Sequence, residues 1–183
     1  MMKSAVFFDR DGVLNRCEVR DGRPHPPRHA DEVRLLPKVE EACAVLKRAG
    51  LVLIVVTNQP DIARGTASLE DVDAINGRLR ALLPLDEIAV CPHDDDDDCP
   101  CRKPRPGLVV DSAATWGIDL ATSVLVGDRW RDIEAGRAAG VATVFIDRGY
   151  AERRPLGSDI VVSELHAAVP FVRDRARRGG PLS

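Results

Sequence analysis

The stretch VFFDRDGVLN, residues 6–15, joins a short apolar run directly to two aspartates. The run 6–8 lacks the polar alternation of a half-exposed strand, and such runs are typical of strands that are covered on both faces. Asp9 and Asp11 follow at once, with a glycine behind them. Asp and Gly are also ordinary turn residues, so this stretch alone leaves the role of the two acids open.

Similar apolar runs recur along the chain, and helical patterns lie between them. The predicted strands are SAVFF (4–8), LVLIVV (51–56), EIAV (87–90), SVLVG (123–127), VATVFI (141–146) and a weaker DIVV (159–162). The predicted helices cover 38–49, 68–82, 105–116, 130–139 and 163–173. This alternation predicts an α/β fold, a three-layer Rossmann-like doubly wound parallel sheet. The length of 183 residues fits a single domain over 1–183.

Composition excludes several classes of function. The formal net charge is −3, and the chain has two Trp, one Tyr and four Phe, so it lacks the basic surface and the aromatic platforms of a nucleic-acid-binding protein. No apolar run reaches the length of a membrane span, and the N-terminus does not resemble a secretory signal. We therefore predict a cytoplasmic protein without nucleic-acid or membrane partners. The basic segment 174–183 is expected to be a frayed tail.

Polar side chains follow the predicted strands at the edge where an open parallel sheet binds its ligands. They are Asp9, Asp11, Thr57, Asn58, Lys103 and Asp128. Each residue alone is equally compatible with a turn, a helix cap or a solvated surface. Together, converging carboxylates favour a hard cation such as Mg²⁺, and the ammonium, hydroxyl and amide suit phosphoryl oxygens. In such a site one aspartate would attack phosphorus and another would transfer the proton.

A second metal site is predicted from CPHDDDDDCPC, residues 91–101. Three of the five cysteines lie here, and Cys91, His93, Cys99 and Cys101 form the pattern C-x-H-x₅-C-x-C. Three thiolates and one imidazole are a complete tetrahedral set for Zn²⁺, which indicates a structural site. The acidic run 94–98 is interpreted as a solvated loop tip.

The motifs DRDG, TNQ, RKP and GDRWRD together resemble the four motifs of the haloacid dehalogenase superfamily of phosphohydrolases, over residues 5–147. This resemblance implies that Asp9 is the nucleophile and forms an aspartyl phosphate, and that Asp11 is the general acid and base. It implies further that Thr57 and Lys103 bind the transferred phosphoryl group.

The same resemblance implies a magnesium site. Asp9, Asp128 and the backbone carbonyl of Asp11 would surround Mg²⁺, and Asp132 is a weaker candidate for a supporting role. The intervals between the motifs are too short for a large inserted cap, so the site is expected to be capless. Arg102, beside Lys103, is expected to grip a second phosphate through its fork of donors.

Two subfamilies share features with this chain. The zinc loop resembles those of heptose bisphosphate phosphatases and histidinol phosphate phosphatases, and TNQPDIARG and RKPRPGL resemble segments of the heptose enzymes. Pro60 and Asp61 depart from that pattern. The segment RDGRPHPPRHADEVRLLP, residues 20–37, matches neither subfamily well, and most of it lies in an irregular excursion over 16–36. Its residues His25, Arg28 and His29 are substrate contacts in one interpretation and plain surface residues in the favoured one.

The resulting prediction is a Mg²⁺-dependent phosphatase of a small phosphorylated metabolite. A heptose bisphosphate or a related sugar phosphate is the favoured substrate. Histidinol phosphate hydrolysis is the alternative within this chemistry. An alternative from another class is a non-catalytic binding or scaffold protein on the same fold. A monomer is favoured.

Overall fold

The computed structural model describes residues 2–178 and contains a six-stranded parallel sheet, with spatial order β5-β4-β1-β6-β7-β8. All six predicted strands are confirmed. Their bounds are β1 Ala5–Phe8, β4 Val52–Asn58, β5 Glu87–Cys91, β6 Val124–Gly127, β7 Ala142–Ile146 and β8 Ile160–Val162. The strand order reverses on either side of β1, which places the carboxyl end of β1 at the point where such sheets bind ligands.

Helices cover both faces of the sheet and complete the three layers. They are α1 Val39–Arg48, α2 Leu69–Leu82, α3 Gly107–Trp116, α4 Trp130–Ala139 and α5 Leu165–Arg177. Leu46, Leu79 and Val172, from α1, α2 and α5, belong to the core on one face. Leu108 and Val109 of α3 belong to the core on the other face. Alternate residues of β1 point to opposite cores, because successive strand side chains face opposite ways.

Local signals fix several helix ends. Ser68 caps α2 by accepting a hydrogen bond from Asp71 N at 3.0 Å, as its place before the helical pattern predicts. Gly140 ends α4 in the left-handed region at φ 82°, where a residue without Cβ is favoured. The last helix continues to Arg177, beyond the predicted end at 173. The frayed tail expected from 174 is therefore wrong at its start, and 179–183 lie outside the described residues.

The excursion 16–36 was expected to be irregular, and this is wrong. It contains an antiparallel hairpin of β2 (Glu18–Arg20) and β3 (Arg23–His25). Asp21 and Gly22 form its turn with φ of 50° and 71°, the two positive values that a tight Asp-Gly hairpin turn requires. The Asp-Gly pair was the signal in the sequence for this hairpin.

Backbone hydrogen bonds hold the excursion at both ends. Its base is closed by Arg16 N donating to Arg34 O at 2.8 Å, and its tip by Ala151 N donating to Gly22 O at 2.8 Å. The hairpin segment, which follows the carboxyl end of β1 in the chain, is therefore fixed at its base and at its tip. Within 2–178, no helix has the length and apolar character that a membrane span requires.

Candidate active site

The end of β1 carries a buried ion-pair network. Lys103 Nζ lies 2.7 Å from Asp9 Oδ1 and 2.6 Å from Asp132 Oδ1. Burial raises the pKa of Asp9 to about 6, although Lys103 acts in the opposite direction. Burial alone would lower the pKa of Lys103, but Asp132 and Asp9 outweigh it and the pKa is raised. The lysine is thus a fixed positive charge next to the predicted nucleophile.

Asp128 follows β6 and completes a cluster of acids. Both of its carboxylate oxygens are buried and lack a hydrogen bond of standard geometry to the described residues, although the Tyr150 hydroxyl lies beside them and acts to lower the pKa of Asp128. One oxygen each from Asp9, Asp128 and Asp132 lie within 4.8 Å of one another. Burial, followed by the charges of Asp9 and Asp132, raises the pKa of Asp128 well above its usual value. Three carboxylates against one ammonium leave a local negative charge that a divalent, oxygen-binding cation would neutralise.

Asp11 lies in a hydrogen-bond network separate from that cluster. Its Oδ2 accepts from Arg10 Nη2 at 2.9 Å and from Gln59 Nε2 at 2.9 Å, and its Oδ1 accepts from Asn15 Nδ2 at 2.8 Å. Burial acts to raise the pKa of Asp11, but Arg10 and these donors outweigh it and the pKa is lowered. Arg10 is itself fully buried and donates to Asn76 Oδ1 at 3.0 Å.

Sequence reasoning missed Arg10, Asn15 and Asn76. An arginine placed between two acids at the end of a buried strand was the available signal for Arg10, because a charge so placed must find a partner. For Asn76, in the middle of α2, the sequence offers no comparable signal.

Thr57 and Asn58, at the end of β4, have different surroundings. The Thr57 hydroxyl is buried and accepts from Gln59 Nε2 at 2.9 Å, which leaves its own proton available for donation. The Asn58 amide clamps the backbone of Lys103, donating to its carbonyl at 3.0 Å and accepting from its N–H at 3.1 Å. In this arrangement Asn58 positions the lysine, and its contact with phosphate stays a prediction.

The four predicted zinc ligands lie together after β5. Cys101 Sγ is 3.1 Å from Cys91 Sγ, 3.5 Å from Cys99 Sγ and 3.4 Å from His93 Nδ1. A tetrahedral site with Zn–S bonds of about 2.3 Å has S–S edges of about 3.8 Å. The donor set therefore fits a closed zinc site once Cys91 Sγ and Cys101 Sγ, 3.1 Å apart, separate by about 0.7 Å.

The acidic run 94–98 does more than form a solvated tip, since most of its side chains have partners. Asp94 Oδ2 lies 2.5 Å from Arg64 Nε, Asp95 Oδ1 lies 2.8 Å from Arg131 Nη1, and Asp98 pairs with Arg105. These ion pairs tie the loop to neighbouring segments.

Arg102 belongs to the same network. Its Nε donates to Asp95 Oδ1 at 2.9 Å and its Nη1 to the carbonyl of His93 at 3.1 Å. Its side chain is only 11% exposed, and these contacts hold the loop that carries the four predicted zinc ligands. The contact with a second phosphate that the sequence suggested for Arg102 stays a prediction.

Sequence comparisons identify relatives of this chain among known phosphatases. A family model described as HAD-hydrolase-like matches residues 100–168. A D-glycero-beta-D-manno-heptose-1,7-bisphosphate 7-phosphatase of Pseudomonas aeruginosa is 36% identical over 177 residues, which cover 92% of this chain and 97% of the relative. The enzyme of the same name from Vibrio cholerae is 38% identical over 165 residues, 81% of this chain and 83% of that one.

Solved structures show the same similarity. The crystal structure of D,D-heptose 1,7-bisphosphate phosphatase from B. bronchiseptica, complexed with magnesium and phosphate, superposes with a TM-score of 0.81 at 33% identity, covering 94% of this chain and 99% of that one. A putative HAD-like phosphatase from Mesorhizobium loti gives a TM-score of 0.80 at 30% identity, covering 98% and 90%.

Proposed function

Because this chain belongs to the haloacid dehalogenase-like hydrolases, in the family of the heptose bisphosphate phosphatases, we propose that it is a Mg²⁺-dependent phosphatase that removes one phosphate from a heptose bisphosphate or a related sugar phosphate. The chain is a phosphoric monoester hydrolase by this membership. The observation that carries the proposal is the buried Lys103, which contacts Asp9 and Asp132 beside the buried carboxylate of Asp128.

Asp9 is the nucleophile in this proposal. One carboxylate oxygen attacks phosphorus, the bond from phosphorus to the sugar oxygen breaks, and an aspartyl phosphate forms. Lys103 and the Thr57 hydroxyl stabilise the charge on the phosphoryl oxygens during this step. Water then attacks phosphorus, and the bond to Asp9 breaks to release inorganic phosphate and restore the carboxylate.

Asp11 moves the proton in both steps. It gives a proton to the leaving sugar oxygen in the first step and takes one from water in the second. Arg10 lowers the pKa of Asp11 in the free protein, and an anionic phosphate that arrives nearby counteracts this effect and favours the protonated form. The hydrogen bonds from Arg10, Gln59 and Asn15 hold the carboxylate in one orientation.

Two metal ions fit the two donor sets. Bound Mg²⁺ would neutralise charge on the phosphoryl oxygens, and Asp9, Asp128 and the backbone carbonyl of Asp11 would hold it. Asp132, the third acid within 4.8 Å, supports the site through its contact with Lys103. Zn²⁺ would join Cys91, His93, Cys99 and Cys101 and stabilise the loop.

The heptose substrate is favoured over histidinol phosphate by the names of the relatives, which are 36% and 38% identical over most of this chain. The intact set of Asp9, Asp11, Lys103 and Asp128 argues against a scaffold protein without activity. The cytoplasmic location and the monomeric state remain predictions from the sequence.

Phosphate release from D-glycero-β-D-manno-heptose 1,7-bisphosphate, histidinol phosphate and nucleotides tests this proposal. We expect turnover of the heptose ester in the presence of Mg²⁺, and its complete loss in Asp9→Asn, because that variant has no phosphoryl acceptor. Asp73→Asn, on an exposed position of α2, is the matched control and should retain full activity. Activity confined to nucleotides would exclude the sugar assignment.

A further inference from the structure

The two carboxylate oxygens of Asp11 are bound unequally. Oδ2 accepts three hydrogen bonds, from Arg10 Nε at 3.1 Å, from Arg10 Nη2 at 2.9 Å and from Gln59 Nε2 at 2.9 Å. Among the described residues, Oδ1 accepts one hydrogen bond, from Asn15 Nδ2 at 2.8 Å. Each carboxylate oxygen offers about two lone pairs. Oδ2 therefore has no lone pair left for a proton, whereas Oδ1 has one.

The guanidinium group that covers Oδ2 is fixed from its other side by α2. Arg10 is fully buried, and its third nitrogen, Nη1, donates to Asn76 Oδ1 at 3.0 Å. Asn76 lies within α2 and is only 2% exposed, so bulk water has little access to this contact. Because a guanidinium group is rigid and planar, the contact at Nη1 sets the direction in which Nε and Nη2 point.

Within residues 2–178, this hydrogen bond is the one anchor of the Arg10 side chain other than Asp11 itself. The contact with Asp11 alone does not fix the arginine, because Nε and Nη2 both meet the same oxygen atom and the group can turn about it. Loss of the Asn76 acceptor would also leave a buried N–H without a partner, and this cost favours a changed position of the side chain. The orientation of Asp11 therefore depends on Asn76.

We propose that Asn76 is a positioning residue for the general acid: it holds Arg10 against Oδ2 of Asp11 and so reserves Oδ1 for the transferred proton. This inference rests on the proposed function and adds a residue that acts through Arg10. In the first step the proton leaves Oδ1, which keeps the electron pair of the O–H bond. The proton passes to the sugar oxygen, which takes the electron pair of its bond to phosphorus. In the second step Oδ1 takes a proton from water.

Asn76→Leu tests this role, because the new side chain keeps the branched shape and lacks an acceptor for Arg10. Single-turnover kinetics measure phosphoenzyme formation from heptose 1,7-bisphosphate and from nitrophenyl phosphate, whose leaving group needs no proton. With the sugar ester we expect this step to slow by about 10- to 10²-fold, since displacement of a catalytic group by about 1 Å costs this much. With the aryl ester it should slow by about twofold or less, because general acid catalysis contributes little there.

A double variant separates positioning from a purely structural role. In an Asp11→Asn background the proton donor is already absent, so Asn76→Leu should slow the sugar ester by only about twofold further. A residue that only stabilises the fold would instead slow both esters alike, in both backgrounds. Equal slowing of the two esters, or a full further loss in the Asp11→Asn background, would overturn the inference.

Leu79→Val is the matched control, since it removes buried volume from the same helix and leaves the Asn76 amide in place. It should lower the unfolding temperature and keep the wild-type ratio of the two rates. A changed ratio in this control would overturn the inference, because the ratio would then follow stability alone. Asn76→Ser, which moves the acceptor away from Arg10, takes the place of Asn76→Leu if that variant does not fold.

The substrate and the positioning role can fail separately. A wild-type protein that hydrolyses glycerol 3-phosphate but not the heptose ester refutes the proposed substrate. Selective slowing of the glycerol ester by Asn76→Leu, relative to nitrophenyl phosphate, then still supports the role of Asn76.

Discussion

At the scale of single residues, the two opening acids have opposite electrostatic surroundings. Asp9 is buried against a lysine, and burial raises its pKa to about 6. Asp11 is bound by Arg10 and two amides, and its pKa is lowered. The difference in environment supports a difference in role. In active sites with two carboxylates, one commonly acts as the nucleophile and the other transfers the proton.

Asp11→Asn should separate these roles, since the amide keeps an acceptor for Arg10 but carries no proton to transfer. A sugar alkoxide needs a proton as it leaves, whereas nitrophenolate does not. General acid catalysis contributes about 10² to 10⁴ in rate, so phosphoenzyme formation should slow by about that factor for the sugar ester and far less for the aryl ester. Single-turnover kinetics measure this step. Equal slowing for both esters would assign Asp11 a structural role instead.

Asp128→Asn should weaken Mg²⁺ binding and stabilise the metal-free protein. Asp128 is buried beside the carboxylates of Asp9 and Asp132, so its ionisation in the metal-free protein is costly, and a neutral amide of the same shape avoids that cost. Without Mg²⁺, we expect this variant to be more stable than the wild type by about 1 kcal/mol or more.

Thermal unfolding with and without Mg²⁺ measures both the stability of the metal-free protein and the effect of the metal. In the wild type Mg²⁺ should raise the melting temperature, because a ligand of the folded state stabilises it, and in Asp128→Asn this rise should disappear. Asp73→Asn provides the surface control. A full Mg²⁺-dependent rise in the Asp128 variant would exclude this carboxylate as a ligand.

At the scale of elements, the zinc loop is a short segment whose order depends on its donors and its ion pairs. Only a single turn of 3₁₀-helix, Asp95–Asp97, lies within the acidic run, so local backbone structure contributes little. The thiol and imidazole donors lie 3.1 to 3.6 Å apart, and ionised thiolates at these distances would repel one another without a cation. We therefore predict that metal binding and folding of this loop are coupled.

Cys99→Ser tests that coupling. The wild-type protein should contain about one zinc per chain, and the variant should lose it and unfold at a lower temperature, because ligand closure contributes directly to folding. Cys17→Ser, outside the ligand set, should keep the zinc. Elemental analysis gives the metal content, and an absence of zinc in wild-type protein purified without chelators would contradict the site.

The elements also show where sequence reasoning succeeds. The central strands were predictable because each is an unbroken apolar run, and such short runs are typical of strands that are buried on both faces of a parallel sheet. The hairpin at Glu18–His25 was missed because its strands have only three residues each and are largely exposed, so they carry no hydrophobic pattern. Its Asp-Gly turn was the one local signal.

At the scale of the whole molecule, the sheet brings together residues that are far apart in the chain. Lys103 and Asp9 are 94 residues apart, yet their charged atoms are 2.7 Å apart. Parallel strands end at one edge, so the convergence of these residues could be predicted from the order of strands. The partners of each polar group could not, because whether Asn58 or Arg102 contacts substrate or backbone depends on side-chain geometry that no periodic pattern encodes.

The state of association is the last property that the whole structure predicts. A stable dimer interface covers about 800 Å² per partner around an apolar centre. The large apolar side chains exposed within residues 2–178 are distributed over β2, α2, α3, β8 and connecting segments, at Met2, Val19, Leu69, Val110, Leu156 and Val161. Single exposed residues of this kind are normal on monomers. The free edge at β8 has only three residues, which limits pairing with a second sheet.

We therefore expect a monomer of 19.9 kDa. Light scattering on protein eluting from a sizing column, with zinc and Mg²⁺ bound, measures the mass directly. The mass should not change between about 10 and 100 μM protein, because scattered apolar residues give no concentration-dependent interface. A mass near twice that of the chain would show that a face assigned here to solvent, such as the edge at β8, is an interface between two copies.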